Sequence, residues 1–430
     1  MRIIMKKVLI FPAGTEISFE IVNALKYSKF VELYGGTSVD DHSEFVFKNL
    51  IKGFPFIDDD KFLSFLNKVI DENEIDCIYP AHDSVSVFLS QNRELISAQC
   101  IIADEKTTMI CRSKEETYRF FAYEDFIPIV YNDFSKIEDY PVFAKPKIGQ
   151  GSQGAIRISN SQELELALKN NNELVICEYL PDEEYTVDCF TDRHGVLRVA
   201  KLRNRERIRA GISVRSRLIE KDESVLHIAE TINSKLSFRG AWFFQLKKNA
   251  KGEYKLLEIS PRIPGTMGLS RNCGINFPML TLFDYWNYDV DILDNEYNII
   301  LDRAFYSAYK IDIQYQHIYL DYDDTLVVNG NVNTTIVRFL YQAIKQGKSI
   351  FLITKHFGDL KAELIQYRIA ENLFDEIIWI KPEEEKTDYI QPEGAIFIDD
   401  SFAERKKVHD RYHIPIFDLD MVESLLDWRL

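Results

Sequence analysis

Over the first hundred residues, short apolar runs alternate with stretches of helical period. Residues 8–11, 31–34, 77–79 and 101–102 read as buried strands, and residues 18–26 and 61–73 as amphipathic helices. Strand–helix alternation of this kind predicts a parallel sheet with right-handed crossovers. From about 105 to 300 the pattern changes to helices mixed with antiparallel-looking strands. These enclose a glycine-rich turn, an acidic segment and a basic alternating segment. Near 300 it resets: an apolar strand at 318–320 opens a second strand–helix series that runs to the end. A boundary is therefore expected between about 300 and 316.

Composition changes this picture little. Of 430 residues, 46% are hydrophobic and 28% charged, a globular balance that argues against disorder and low-complexity arrays. The net charge of −16 argues against general binding of nucleic acid or anionic membrane, while leaving room for small phosphorylated ligands in a local basic cleft. No run of about 20 apolar residues suggests a membrane span. The short apolar stretch near the start meets Pro12, Ala13 and Gly14, which reads as strand and turn and not as a signal sequence. Cys77, Cys100, Cys111, Cys177, Cys189 and Cys273 are scattered, with no C-x-x-C. Buried thiols in a reducing, cytoplasmic setting are the expectation.

Two stretches carry candidate chemistry. The first is an apolar strand ending at Lys145-Pro-Lys147, followed by Gly149, Gly151, Ser152 and Gly154. Alternation puts both lysines on one face, and glycines let backbone N–H groups approach phosphate oxygens, although no P-loop motif is present. Downstream, Arg203, Arg205, Arg207 and Arg209 share one parity. In a continuous strand they would form a single basic face suited to an anionic substrate. The second stretch begins with Asp321-Tyr-Asp323 at the end of an apolar strand. Two carboxylates so placed can hold Mg2+, one attacking phosphorus and the other handling the leaving-group proton. Thr354 ends a second strand there, Lys386 opens an apparent helix, and Asp399-Asp400 ends a third strand. His409 and His413 lie four apart but lack any metal-binding motif, and read as surface histidines.

Lys145 to Gly154, Glu178 to Asp188, the arginine series, Gly240 to Gln245 and Glu258-Ile-Ser260-Pro-Arg262 occur in the order found in ATP-grasp ligases. Over residues 1–300 the chain resembles the carbamoyl-phosphate-synthetase-like branch of that family. The resemblance implies a Rossmann-like pre-ATP-grasp domain (1–104) and a two-lobed α+β ATP-grasp domain (105–300). It also implies ATP phosphates met by Lys114, Lys145 and Lys147 under a lid of Gly149, Gly151, Ser152 and Gly154. Glu178 would then stand at the adenine hinge and Glu184 at the ribose. Gln245 and Glu258 would hold Mg2+, Arg262 would face the transferring phosphoryl group, and Arg203 to Arg209 would line the substrate cleft. Ser260 stands where the family usually has Asn, and Ser113 where Asp is common before the lysine.

Residues 314–430 resemble the haloacid-dehalogenase (HAD) phosphotransferases, a Rossmann-like domain here without a large cap. That likeness implies Asp321 as nucleophile, Asp323 as general acid/base, and Thr354 and Lys386 on phosphoryl oxygens. Asp321, Asp323, Asp399 and Asp400 would form the metal site, and Lys381 rivals Lys386 for the lysine role. The α/β multidomain chain is thus expected to be bifunctional, joining a carboxylate to an amine with ATP and hydrolysing a phosphate ester. ATP and Mg2+ are the expected cofactors, with room for Mn2+; the sequence does not fix the oligomeric state, although the resemblance allows a homodimer. The alternative is a ligase whose last domain binds or regulates without catalysis.

Overall fold

The computed structural model describes residues 5–149, 151, 153–209, 211–295 and 297–429. The chain divides into two compact units, Met1–Phe305 and Tyr306–Leu430. The single division, between residues 305 and 306, lies in the expected boundary region 300–316, and the expected division near 105 falls inside the first unit.

Unit 1 opens with β1 (Lys6–Phe11), α1 (Glu16–Leu25), β2 (Val31–Thr37), β3 (Asn49–Lys52), α2 (Phe62–Asn73), β4 (Cys77–Pro80), α3 (Asp83–Gln91) and β5 (Gln99–Cys100). The five strands form a parallel sheet in the order β3-β2-β1-β4-β5. Its last strand ends just before Ile101-Ile102, two residues earlier than the apolar run suggested. Ile101 and Ile102 are instead buried in the two hydrophobic cores on either side of the sheet. Successive elements are wound outward from β1 in one direction and from β4 in the other. The C-terminal ends of β1 and β4 therefore flank a topological switch point, where open α/β sheets form crevices for ligands. The first turns of α1 and α3 sit there. Thr15 caps α1 by accepting the Ser18 N–H at 3.1 Å, and His82 Nδ1 caps α3 by accepting the Ser84 N–H at 3.2 Å.

The rest of unit 1 continues with α4 (Glu105–Arg112), α5 (Lys114–Phe120), β6 (Val142–Pro146), β7 (Ile156–Ile158), α6 (Ser161–Asn170), β8 (Leu174–Glu178), β9 (Glu184–Thr191) and β10 (Leu197–Asn204). It ends with β11 (Arg207–Arg209), β12 (Ile212–Arg217), α7 (Glu223–Lys235), β13 (Gly240–Lys248), β14 (Tyr254–Ser260), α8 (Gly268–Asn272), α9 (Phe277–Tyr285) and β15 (Ile300–Asp302). These strands build three antiparallel sheets, β7-β6-β8, β10-β9-β13-β14 and β11-β12-β15. Ser113, in the place where Asp is common, caps α5 by accepting the Glu116 N–H. The substitution keeps an oxygen acceptor at a helix start.

The parity argument for the arginines fails because the strand is broken: β10 stops at Asn204 and β11 begins at Arg207. At the glycine turn, Gly211 has φ +76°, and a Cβ there would collide with the Gly151 carbonyl. The loop carrying Gly151 is thus seated backbone to backbone on the β11–β12 turn.

Unit 2 comprises β16 (His317–Leu320), the hairpin β17 (Val327–Val328) and β18 (Asn331–Val332), α10 (Thr334–Lys345), β19 (Ser349–Thr354), α11 (Leu360–Gln366), β20 (Glu376–Trp379), β21 (Ala395–Ile398), α12 (Phe402–Tyr412) and β22 (Ile416–Phe417). A parallel sheet, β20-β19-β16-β21-β22, is covered by apolar clusters that include Ile336, Phe339 and Leu340 of α10 and Val408 of α12. Only the small hairpin separates β16 from α10, turning on Asn329 and Gly330 at positive φ. All six cysteines are buried and free, and no helix among the described residues is long and apolar enough to cross a membrane.

Candidate functional sites

Two adjoining cavities, about 340 Å³ and about 130 Å³, open within unit 1. Lys114, Gly149, Gly151, Arg205, Gln245 and Glu258 line both. The smaller cavity is completed by Lys145, Glu178, Glu184, Tyr118 and Leu257. Lys145 is 5% exposed, and its ammonium donates to Tyr118 Oη and, at 3.2 Å, to the Leu257 carbonyl. Burial lowers its pKa, so the site is one that favours an added anion. Lys114 lies 3.7 Å from Glu258. Glu178, ending β8, accepts the Ile129 N–H at 2.9 Å, which fixes the segment leading into β6. Gln245 and Glu258 are direct register partners on β13 and β14, so two oxygen-bearing side chains stand side by side. Hard oxygen donors in that arrangement fit Mg2+.

Other expected residues fall elsewhere. Lys147 lies past the end of β6 and pairs with Glu115 and Glu173 on the surface, so it lines neither cavity. Gly154 is likewise outside both linings, and Ser152 lies outside the described residues. The four arginines do not form one face. Arg203 is buried in a two-point pair with Asp188 at 2.9 and 3.1 Å. Arg205 bonds Glu184 and, at 2.6 Å, Gln245. Glu184, the expected ribose carboxylate, is therefore shared with a guanidinium. Arg207 pairs with Asp302, and Arg209 lies over Phe305. Only Arg203 and Arg205 reach the cavity, both already matched to carboxylates.

Arg262, the residue expected at the phosphoryl group, lines the larger cavity. Its guanidinium grips Asp83 at the start of α3 through two bonds of 2.7 Å, while Ser260 Oγ donates to the same carboxylate at 2.9 Å. Burial raises the Asp83 pKa, but the Arg262 charge and these hydrogen bonds outweigh it and hold the carboxyl well below its usual range. Ser260 thus ties β14 to the parallel sheet, a job that no sequence spacing could signal across 177 residues. Asp83→Ala is expected to strand a buried guanidinium and cost about 3 kcal/mol in thermal unfolding at neutral pH. Because the folded pKa is depressed, this contribution is complete above about pH 4 and fades as pH falls through the lower folded value. The gap between wild-type and variant melting curves should therefore narrow on acidification below pH 4.

In unit 2, Asp321, Thr354 and Asp399 follow or end the parallel strands β16, β19 and β21 at their C-terminal ends. Lys386 Nζ lies 2.6 Å from both Asp321 Oδ1 and Asp399 Oδ2. Burial works against its charge, yet the two carboxylates outweigh that and raise its pKa. Burial and the facing Asp399 carboxylate raise that of Asp321 against the pull of Lys386. Lys381, the rival, is exposed. Asp321, Asp399 and Asp400 each offer an oxygen within 4.8 Å of the others and form the one such metal-competent group among the described residues. Its hard donors fit Mg2+.

The Asp323 carboxylate stands outside that group, contrary to its expected place among the ligands. It accepts from Thr354 Oγ1 at 3.4 Å and contacts His356 Nδ1 at 2.8 Å. His356, missed in the sequence, is buried. Its Nε2 faces Glu363 Oε1 at 3.4 Å, and Glu363 also accepts from Tyr322 Oη at 3.2 Å. His409 and His413 are exposed, with rings 5.8 Å apart.

A family profile described as ATP-grasp in the biosynthetic pathway with Ter operon matches residues 170–296. Biotin carboxylase from Campylobacter jejuni, solved with β,γ-ATP, superposes with a TM-score of 0.56 at 14% identity over 67% of this chain and 72% of its own. The ADP complex of N5-carboxyaminoimidazole synthetase from Staphylococcus aureus gives 0.56 at 15% identity, over 68% and 80%. An L-amino acid ligase from Bacillus licheniformis gives 0.53 at 16% identity, over 66% and 74%. No curated protein sequence matches the chain. At these identities the likeness is one of architecture, and the chain is a mixed α/β protein carrying the ATP-grasp ligase fold.

Proposed function

We propose that unit 1 is an ADP-forming carboxylate–amine ligase and that unit 2 is a phosphomonoesterase. The ligase reading is carried by Lys114, Gln245 and Glu258, which line both cavities, with Lys145 beside them in the smaller one. ATP would occupy the smaller cavity and the carboxylate the larger one. The carboxylate oxygen attacks the γ-phosphorus and ADP leaves. An amine then attacks the acyl-phosphate carbonyl, releasing phosphate and forming the amide. Lys114 and Lys145 offset charge on the phosphoryl oxygens, which is the main task in such transfers. Gln245 and Glu258 would hold Mg2+, which neutralises phosphate charge when bound.

The phosphatase reading is carried by Lys386 fixed between Asp321 and Asp399 at the ends of adjacent parallel strands. Asp321 would attack the ester phosphorus, and Asp323 would give the leaving alkoxide its proton and then take one from the water that cleaves the aspartyl-phosphate. Asp321, Asp399 and Asp400 would hold Mg2+. His356 would keep the Asp323 carboxylate turned toward the reacting oxygen. His356→Ala is thus expected to lower kcat for ester hydrolysis about tenfold with KM unchanged, measured with a chromogenic aryl phosphate.

A phosphorylated amine would join the two activities: ligation first, ester hydrolysis second, as in amide decoration of bacterial surface polysaccharides. The deciding experiment scores ADP release over carboxylates and amines, each amine offered with and without a phosphate ester. Dependence on the phosphorylated form supports one pathway, and turnover with unphosphorylated amines alone detaches unit 2 from that product. Both activities are expected in the cytoplasm.

A further inference from the structure

The larger cavity contains two arginines that the ligase chemistry leaves unassigned. Arg112, the last residue of α4, and Arg303, just beyond β15, both line it and neither lines the smaller one. Neither has a carboxylate within ion-pair distance among the described residues, although arginines elsewhere in this cavity are matched: Arg203 to Asp188, Arg205 to Glu184 and Arg262 to Asp83. The acids that sense the two charges are already engaged. Asp83 feels Arg112 but is held by Arg262 and Ser260, and Glu20 feels Arg303 but bonds Arg271 at 2.8 Å. Among the described residues Arg112 reaches only Ser84 Oγ, at 3.5 Å. Nη1 of Arg303 is sealed from solvent with no hydrogen-bond partner among the described residues, as are Arg203 Nη1 and Arg205 Nε, but Arg203 and Arg205 have a carboxylate on another nitrogen and Arg303 has none.

The same cavity wall includes Thr15, Glu16 and Ile17 at the start of α1, and His82 and Asp83 at the start of α3. Two helix N-termini at a topological switch point add positive potential. Glu16, exposed at the first turn of α1, is the one acid there with no ion pair among the described residues, and it offsets only part of that charge.

We propose that Arg112 and Arg303 form a subsite for a second anionic group of the ligase substrates, a phosphate monoester or a carboxylate distinct from the carboxyl that is activated. Guanidinium forks match either anion geometrically. The subsite deepens the ligase reading of unit 1, on which its description as a substrate site rests. It also moves substrate recognition from the Arg203–Arg209 series to two residues far apart in sequence. A neutral amine or a simple monocarboxylate would leave the Arg112 and Arg303 charges without an anion, so such compounds are expected to bind less well.

The test uses the full chain saturated with Mg-AMPPNP, titrated calorimetrically with inorganic phosphate and, separately, with succinate. Wild type is compared with Arg112→Gln, Arg303→Gln, the double variant, and the charge-keeping Arg112→Lys and Arg303→Lys. Phosphate binding in unit 2 is a background common to all six proteins. At least about a tenfold loss of affinity for one anion is expected in the Gln variants, smaller in the Lys variants, with AMPPNP affinity unchanged. The anion that weakens names the group the subsite takes. Identical titrations in all six proteins would overturn the proposal, as would Gln variants that lose AMPPNP in parallel with the anion. Failure of wild type itself to bind AMPPNP would strike the ligase reading instead, and the phosphate difference between variants would still report on the subsite.

Discussion

Asp321→Asn is expected to cut phosphate-ester hydrolysis by about a thousandfold or more while ADP production continues. The carboxylate oxygen that would attack phosphorus is lost, but an amide of the same size still accepts from Lys386, so the fold of unit 2 should survive. If ligation precedes hydrolysis on a phosphorylated amine, this variant should accumulate a phosphorylated amide, visible by mass spectrometry as an added 80 Da (about the mass of HPO3). A dephosphorylated product from the same variant would sink that order of steps. Residual ester hydrolysis near the wild-type rate would sink the nucleophile assignment itself.

The second large effect lies in unit 1. Glu258→Gln is expected to lower ADP formation about a hundredfold or more, with ester hydrolysis by unit 2 untouched. Glu258 stands beside Gln245 across the β13–β14 pair and 3.7 Å from Lys114. Its removal therefore takes away the charged oxygen donor of the pair and leaves the lysine without its acid. Coupled-enzyme measurement of ADP with saturating ATP checks this. Wild-type turnover in Glu258→Gln would show that the phosphates lie elsewhere.

The sequence exposed these centres because their chemistry sits at the ends of elements whose periodicity is plain. Lys145 closes an apolar strand, Glu258 lies opposite Gln245 in a strand pair, and Asp321, Thr354 and Asp399 follow or end three buried strands of one parallel sheet. Element edges lie within a few residues of the apolar runs wherever run and strand coincide. At Ile101-Ile102 they do not, because the residues are buried by packing outside the ladder.

What stayed hidden depends on pairings that span the chain. Nothing near Arg262 announces that Asp83 would claim it, and nothing near Asp323 points to His356. The arginine series misled because parity speaks for a face only while a strand is unbroken, and the break at Arg205-Glu206 has no glycine or proline to mark it. Lys147 misled in the same way, one residue past the end of its strand.

The buried pair of Asp188 and Arg203 has a consequence for how this chain can change over generations. An apolar pair of matching volume could fill the same space at little or no loss. Reaching it one substitution at a time requires an intermediate with a lone buried charge, about 3–5 kcal/mol worse, against a total stability of roughly 5–15 kcal/mol. Ser270, which donates to Asp188 at 3.3 Å, enlarges the set that would have to change together. The three residues are therefore expected to change together or not at all, held in place by the depth of the valley around them.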